Sequence, residues 1–277
     1  MIWHVIRDFF GFLGQSMIHK FIMNNIQKNS ESRWFGHKQV SPDEKTGLVR
    51  GVFDSVADKY DVMNDIMSGG IHRLWKDRLI RQIRPTSGYS YLDVAGGTGD
   101  IAFRLRRKTG SGSNTDICVF DLNENMLRAG RDRAINRGWI NDFTWMTGNA
   151  EALPFVDNSY DVYTISFGLR NVTHIDTALS EALRVLKPGG RFFSLEFSHV
   201  RHPVMERVYK LYSKNLIPGM GALIAKDRES YQYLIESIER FPDQESLAGR
   251  MEKAGFQNVR FTNLSGGIAA IHEGWKL

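Results

Sequence analysis

The fold of this chain is predicted best from the stretch Tyr91-Leu92-Asp93-Val94-Ala95-Gly96-Gly97-Thr98-Gly99-Asp100. A short apolar run passes through a glycine-rich turn and leads into residues 101–105, whose apolar spacing is helical. The pattern predicts a strand, a tight loop and the start of a helix. Glycines in such a loop let a ligand lie against the backbone, and the free N–H groups of the first helical turn face the same ligand. The stretch therefore predicts a site for a nucleotide-like molecule.

The glycine loop leaves two kinds of nucleotide open. Gly97, Gly99 and Ala102 satisfy the G-x-G-x-x-A form of the dinucleotide fingerprint, which would suit an NAD-dependent oxidoreductase. Asp93 favours a different ligand, because a carboxylate beside the glycines would repel a pyrophosphate and attract the ammonium group of an amino acid. S-adenosylmethionine carries that group and no phosphate. A purely structural Asp93 that caps the turn is the simpler alternative.

The composition indicates a globular α/β protein. With 277 residues, 42% of them hydrophobic and 24% charged, the chain is long enough for one large domain and an appendage. A formal net charge of +5 would suit an anionic membrane surface or a nucleic acid, and establishes neither. The single cysteine, Cys118, excludes an intramolecular disulfide and offers no thiolate cluster, so no metal is expected. We predict that Cys118 is a buried strand residue.

Residues 1–40 form an N-terminal extension that differs from the remainder. Its apolar residues have a helix-compatible spacing, and Asp8 is the only acid before Glu31. None of its apolar runs has both the length and the hydrophobicity that are needed to span a bilayer. A mitochondrial targeting segment, a helix that lies on a membrane surface and a disordered extension are the three interpretations. The break at Ser41-Pro42-Asp43 predicts that the main domain covers 41–277.

Two amphipathic helices within residues 46–84 are predicted to precede the first strand and to cap the sheet. Tyr60 and Asn64 lie in a polar series among apolar neighbours, next to Asp61 and Asp65. In a doubly wound sheet such helices can cover the carboxyl ends of the strands, where ligands bind. The polar series therefore either lines a pocket or serves as helix caps and solvated loop.

Polar residues also follow the later predicted strands. Asp121 ends the second strand, where a carboxylate can bind a ribose diol, and Asn149 follows the third, where an amide can meet an adenine edge or cap its own loop. Arg170 and Asn171 follow the fourth strand, and we favour a functional role for both over a structural one.

The chain continues with an insertion and a hairpin. Residues from about 200 to 240 carry an apolar helical stripe beside a Gly/Pro segment, which is either a lid over the substrate or ordinary core. Two predicted strands then meet at Ser265-Gly266-Gly267, which implies an antiparallel edge on an otherwise parallel, doubly wound sheet.

Three segments carry a resemblance to a known family: 53–65 (FDSVADKYDVMND), 92–100 (LDVAGGTGD) and 164–172 (TISFGLRNV). Together they resemble the class I S-adenosylmethionine-dependent methyltransferases and, more closely, the ubiquinone/menaquinone biosynthesis C-methyltransferase family. The similarity runs from about Trp34 to Leu277 and leaves the first 33 residues unmatched. It implies a Rossmann-like fold with a mostly parallel seven-stranded sheet and an antiparallel C-terminal hairpin.

The resemblance also implies the cofactor and its contacts. S-adenosylmethionine would be the cofactor, held by the glycine loop at Asp93, Gly97 and Gly99. The family's own cofactor contacts fall on the following positions of this chain: Thr98, Asp121, Asn149, Ala150 and Ser166.

The family's substrate is a polyprenylated benzoquinol or naphthoquinol that is methylated on a ring carbon. We expect Arg170 to favour the phenolate form, Asn171 to orient an oxygen, and Tyr60 and Asn64 to contact the ring. A peripheral membrane surface is the expected partner; other quinone-biosynthesis enzymes and a homodimer are left open, and no nucleic acid is expected. The resemblance implies the cytoplasmic side of the inner membrane in a bacterium, or the matrix side of the mitochondrial inner membrane in a eukaryote.

Three other functions compete with this one. A nucleic-acid methyltransferase would use the basic series at Arg104, Arg106, Arg107 and Lys108, but the fourth strand lacks the Asp/Asn-Pro-Pro-aromatic motif used on exocyclic amines. A non-catalytic scaffold in a quinone-biosynthesis complex would bind the cofactor without turnover. An NAD-dependent oxidoreductase would show competition between the two cofactors.

Overall fold

The computed structural model describes residues 34–35, 38–41, 44, 47–48, 51, 70–110, 114–200 and 228–277. Two predicted catalytic residues, Tyr60 and Asn64, lie outside the described residues, as do the extension up to residue 33, most of the first predicted cap helix and residues 201–227 of the predicted insertion. The second predicted cap helix and residues 228–240 of the insertion are described, and both are helical. A short antiparallel pair of strands, Trp34–Phe35 and Lys38–Gln39, precedes the main sheet.

Seven strands of the described residues form the main sheet. In chain order they are β1 (Ser90–Val94), β2 (Asp116–Asp121), β3 (Thr144–Thr147), β4 (Tyr160–Ser166), β5 (Leu186–Phe197), β6 (Gln257–Leu264) and β7 (Ala269–Trp275). Their spatial order is β3-β2-β1-β4-β5-β7-β6. The first five strands are parallel, and β7 runs antiparallel to both β5 and β6. The predicted fold class is therefore confirmed.

Six helices accompany the described strands: α1 (His72–Ile83), α2 (Asp100–Thr109), α3 (Glu124–Ile135), α4 (Ile175–Val185), α5 (Arg228–Arg240) and α6 (Gln244–Ala254). The central strand β1 is buried on both faces, as expected for a parallel strand with helices on each side of the sheet. Cys118 is buried in β2, where burial raises the pKa of its thiol to about 12, as predicted for a strand residue. None of the described helices combines the length and the apolar character that crossing a bilayer requires.

One strand begins earlier than local sequence preferences indicate. The segment Lys187-Pro188-Gly189-Gly190 is typical of a helix end, yet β5 begins at Leu186 and contains this segment. The cause is a contact distant in sequence: Gly189 N–H donates to the carbonyl of Lys276 at 2.6 Å, and Lys276 N–H donates to that of Gly190 at 3.0 Å. Pairing with the end of the chain thus overrides the local turn preference of proline and glycine.

Candidate active site

A cavity lies at the carboxyl ends of β1, β2 and β4, where the strand order reverses. Ligands of open α/β sheets bind at this switch point. Four loops line the cavity: the glycine loop after β1, residues 121–123 after β2, residues 148–151 after β3 and residues 166–173 after β4. Seven of the eight predicted cofactor residues are among its lining residues: Asp93, Gly97, Thr98, Asp121, Asn149, Ala150 and Ser166.

The eighth, Gly99, is not among the lining residues and instead starts α2. It is the N-cap of that helix and has a left-handed conformation, with φ of +79°. A Cβ there would lie 2.9 Å from the Trp145 ring, so both backbone and packing require glycine. Gly97 also has a positive φ, of +51°, and its N–H donates to Asp121 Oδ2 at 2.9 Å. The loop is thereby folded onto β2 and presents backbone to the cavity.

Asp93 provides a carboxylate oxygen without a partner. Its Oδ1 accepts a hydrogen bond from the Thr164 hydroxyl at 2.7 Å, whereas its buried Oδ2 has no well-aligned hydrogen bond within the described part of the chain. Burial raises the pKa of Asp93 to about 7, and the Thr164 hydroxyl and the nearby backbone N–H of Ala102 oppose this rise. An oxygen left unsatisfied beside a cavity is costly unless a ligand donates to it. The ammonium group of S-adenosylmethionine is a donor of the required kind.

Asp121 is held in place by backbone N–H groups. Its Oδ1 accepts from Asn123 N–H at 2.8 Å, and its Oδ2 accepts from Gly97 N–H. Burial raises the pKa of Asp121 to about 6, and both N–H groups counteract the burial. Each carboxylate oxygen has a second lone pair, so a ribose hydroxyl can still donate to the fixed carboxylate.

The remaining predicted contacts differ in how they are held. Thr98 Oγ1 accepts from Arg133 at 2.6 Å, and Asn149 Oδ1 accepts from Glu151 N–H at 2.9 Å. The bond between Asn149 and Glu151 caps the loop, as in the alternative interpretation of Asn149. It uses the amide oxygen only, so the amide NH₂ group can still donate to a ligand. Ser166 Oγ is buried and makes no hydrogen bond with any described residue, so it is a second unsatisfied polar atom at the cavity. The residues present thus fit the amino-acid and nucleoside ends of S-adenosylmethionine.

Arg170 and Asn171 follow the same strand but point to different places. Asn171 lines the cavity, and its Oδ1 accepts from the Tyr233 hydroxyl at 3.0 Å. Arg170 is not among the lining residues: its Nη1 lies 2.6 Å from Glu196 Oε1 and donates to the carbonyl of Phe167 at 2.6 Å. Arg170 thus forms a buried ion pair beside the cavity, and its effect on the phenolate form of an acceptor stays a prediction. The physical cause of the two directions is the 3₁₀ turn over Leu169–Asn171, which directs successive side chains differently.

Three residues of the site region were not predicted from the sequence. Glu196 in β5 pairs with Arg170, Tyr233 in α5 holds Asn171, and Lys76 in α1 lines the cavity. Burial raises the pKa of Tyr233, so its hydroxyl stays protonated and can donate. Because Glu196 and Tyr233 pair with residues far away in sequence, no local sequence pattern indicates their role.

The basic series that a nucleic-acid enzyme would use is partly buried. Arg104 pairs with Asp100 and with Asp77, and Arg106 pairs with Asp142, with only 14% and 7% of the two arginine side chains exposed. These two cations stabilise the fold around α2 instead of forming a free basic surface.

The strand order and the cavity at its switch point are those of the Rossmann-like class I methyltransferase fold. Among solved structures, a SAM-dependent methyltransferase from Thermotoga maritima superposes with a TM-score of 0.57 at 21% identity, over 82% of this chain and 99% of that one. The [4+2]-cyclase SpnF superposes with a TM-score of 0.62 at 18% identity, over 83% of this chain and 96% of that one. These similarities establish the fold, and the second shows that the fold alone does not specify the reaction.

Sequence similarity identifies the family. The model of the ubiE/COQ5 methyltransferase family matches residues 38–276, and the chain belongs to that family. The ubiquinone/menaquinone biosynthesis C-methyltransferase UbiE of Dinoroseobacter shibae is 53% identical over 251 residues, which are 91% of this chain and 99% of the relative. The protein is thus a methyltransferase with S-adenosylmethionine as its cofactor, which decides between the two nucleotides that the glycine loop left open.

Proposed function

We propose that this enzyme transfers the methyl group of S-adenosylmethionine to a ring carbon of a polyprenylated quinol in ubiquinone or menaquinone biosynthesis. The observation that carries the proposal is the 53% identity to a C-methyltransferase of those pathways over 99% of that relative's length. The matched region includes every described residue of the cavity.

S-adenosylmethionine supplies a methyl group that is activated by a sulfonium sulfur. The Asp93 carboxylate would bind its ammonium group, Asp121 its ribose hydroxyls and the Asn149 amide its adenine. These side chains are fixed before the ligand arrives, by Thr164, by two backbone N–H groups and by the Asn149 loop. Such preorganisation lowers the cost of aligning the methyl group with its acceptor.

The acceptor carbon needs electron density from a neighbouring oxygen. Free phenols titrate near pH 10, so the site must favour the phenolate at neutral pH. Because the Tyr233 hydroxyl occupies Asn171 Oδ1, the amide NH₂ of Asn171 is left to donate to an acceptor oxygen. Arg170 would affect the acceptor indirectly, because it donates to the carbonyl of Phe167 and so stabilises the loop that follows β4. Tyr60 and Asn64 remain the predicted ring contacts.

We also propose that the enzyme works at a membrane surface, on the cytoplasmic side of the inner membrane in a bacterium or the matrix side of the mitochondrial inner membrane in a eukaryote. A prenylated substrate resides in a membrane, and the outer side of α1 supports contact with one. Leu74 and Ile71 are 64% and 41% exposed, beside the exposed Arg73 and Arg78. Binding to vesicles with anionic lipid, weakened in Leu74→Ser, would support this proposal; equal binding of both proteins would contradict it.

The proposed reaction is tested with labelled S-adenosylmethionine and short-tailed, demethylated benzoquinols and naphthoquinols, each supplied reduced and oxidised. We expect transfer to reduced acceptors only, because an oxidised ring has no hydroxyl to supply electron density. The ring type that reacts defines the substrate class. Tight cofactor binding without transfer to any acceptor would instead favour the scaffold function.

A further inference from the structure

Lys76 brings a positive charge to the wall of the cofactor cavity. It lies on α1, outside the strand-loop units of the sheet, and its side chain is only 5% exposed. Its Nζ donates to Asp100 Oδ2 at 2.7 Å and lies 5.9 Å from the centre of the Phe167 ring. The neighbouring Trp75 fixes the helix by donating to the Ser265 hydroxyl at 2.9 Å. Lys76 is therefore held in one place.

The charges around the cavity are unequal. Among its described lining residues Lys76 is the only one with a positive charge, and four are acidic: Asp93, Asp100, Asp121 and Glu151. Asp100 also pairs with Arg104, which balances part of its negative charge. Part of the positive charge of Lys76 is therefore available to a ligand. A lysine ammonium has three donors, and the bond to Asp100 uses one of them.

The amino-acid end of S-adenosylmethionine carries an ammonium group and a carboxylate. Four acidic side chains would repel the carboxylate unless a cation lay close to it. Asp93, the proposed acceptor for the ammonium group, lies one residue before the end of β1, and Asp100, the partner of Lys76, begins α2 at the other side of the same loop. A cation and an unpartnered carboxylate oxygen thus flank the glycine loop, which is the arrangement that a zwitterion requires.

We propose that Lys76 binds the methionine carboxylate of S-adenosylmethionine, and that Asp100 positions the lysine for this role. Lys76 is then a cofactor-binding residue that lies on α1, the helix that precedes the main sheet. This role concerns the cofactor alone and does not depend on which acceptor is methylated.

The test compares two ligands that differ only in the carboxylate: S-adenosylhomocysteine and its decarboxylated form. Calorimetric titration of Lys76→Met, which keeps the length of the side chain, should show roughly 10- to 100-fold weaker binding of S-adenosylhomocysteine, the usual effect of losing a hydrogen bond to a charged group. Binding of the decarboxylated ligand should be unchanged, which also reports that the variant is folded. Lys76→Arg should recover most of the lost affinity.

Lys187→Met is the matched control, because Lys187 also pairs with an aspartate at 2.7 Å but is not a lining residue of the cavity. It should bind both ligands as the unmodified enzyme does. Equal weakening of both ligands by Lys76→Met, or no weakening of either, would overturn the proposal. If Lys76→Met does not fold, Lys76→Gln replaces it with the same expected discrimination. Because binding is measured without an acceptor, a failed quinol assay would leave this result intact.

Discussion

Replacing Glu196 with alanine would remove the counter-charge from the most buried ion pair of the described residues. Glu196 Oε1 lies 2.6 Å from Arg170 Nη1, and the glutamate and arginine side chains are only 2% and 1% exposed. The carboxylate also accepts from the backbone N–H groups of Phe197 at 2.9 Å and Arg170 at 3.3 Å. In Glu196→Ala the contacts left to the guanidinium among the described residues would be the Phe167 carbonyl and the face of the Phe197 ring.

The expected loss of stability follows from that uncompensated charge. Breaking a buried pair by removing one partner costs about 3–5 kcal/mol, and the two backbone donors that lose their acceptor place this variant in the upper part of the range. The double variant Arg170→Met/Glu196→Met should lose less than Glu196→Ala, because it leaves no unpaired charge in the core. Arg170 Nη1 donates to both Glu196 Oε1 and the Phe167 carbonyl, so without Glu196 the guanidinium would be held less firmly against Phe167, a bulky cavity residue with φ of +57°. Glu196→Ala should therefore also weaken cofactor binding.

Urea denaturation followed by circular dichroism and by tryptophan fluorescence measures these free energies of unfolding, provided that both probes give one transition. Lys187→Met is the control, since its ion pair is equally short but the two side chains are 38% and 22% exposed. It should cost about 0–1 kcal/mol. A loss below about 1 kcal/mol for Glu196→Ala would contradict this prediction, because breaking a pair this buried should cost several kcal/mol.

Two further predictions concern the cavity. Gly148→Ala should destabilise the protein by about 1–3 kcal/mol and weaken cofactor binding, because a Cβ would lie 2.4 Å from the fully buried Phe120 ring. Gly249→Ala in α6, with nothing within 4 Å of the new Cβ, should instead be neutral or stabilising; equal thermal denaturation of the two variants would contradict this. Because the pKa of Asp93 is raised to about 7, its carboxylate gains a proton below that pH, and affinity for S-adenosylhomocysteine should fall by up to about tenfold per pH unit there. Asp93→Asn should bind more weakly at pH 7.5 and show a smaller pH dependence by calorimetry; an unchanged slope would exclude Asp93 as the acceptor for the ammonium group.

Much of the site could be predicted because its parts are local. The strand-glycine-helix pattern fixes β1, the loop and α2, and the alternation of strands and helices then brings Asp121, Asn149 and Ser166 to the same end of the sheet. Asp121 and Ser166 end their strands and Asn149 lies two residues beyond its own, so their places depend on the topology and not on long-range packing. Gly99 is the exception, since it is the N-cap of α2 and is not among the residues that line the cavity.

The rest depends on contacts that sequence spacing does not contain. Arg170 faces the core because Glu196, 26 residues further on, offers a buried counter-charge. Lys76 shares α1 with several arginines, and only the packing of that helix decides which cation faces the cavity. The early start of β5 likewise requires Lys276 from the other end of the domain. In each case a partner distant in sequence decides where the side chain or strand lies.

The atom of the acceptor that receives the methyl group distinguishes ring C-methylation from the alternatives. A reduced, short-tailed demethylated quinol is incubated with the enzyme and with S-adenosylmethionine carrying a ¹³C-labelled methyl group, and the product is examined by NMR. We predict that the labelled carbon is bonded to a ring carbon. A labelled methoxy group, or label on no part of the quinol while the cofactor binds normally, would contradict the proposed C-methylation.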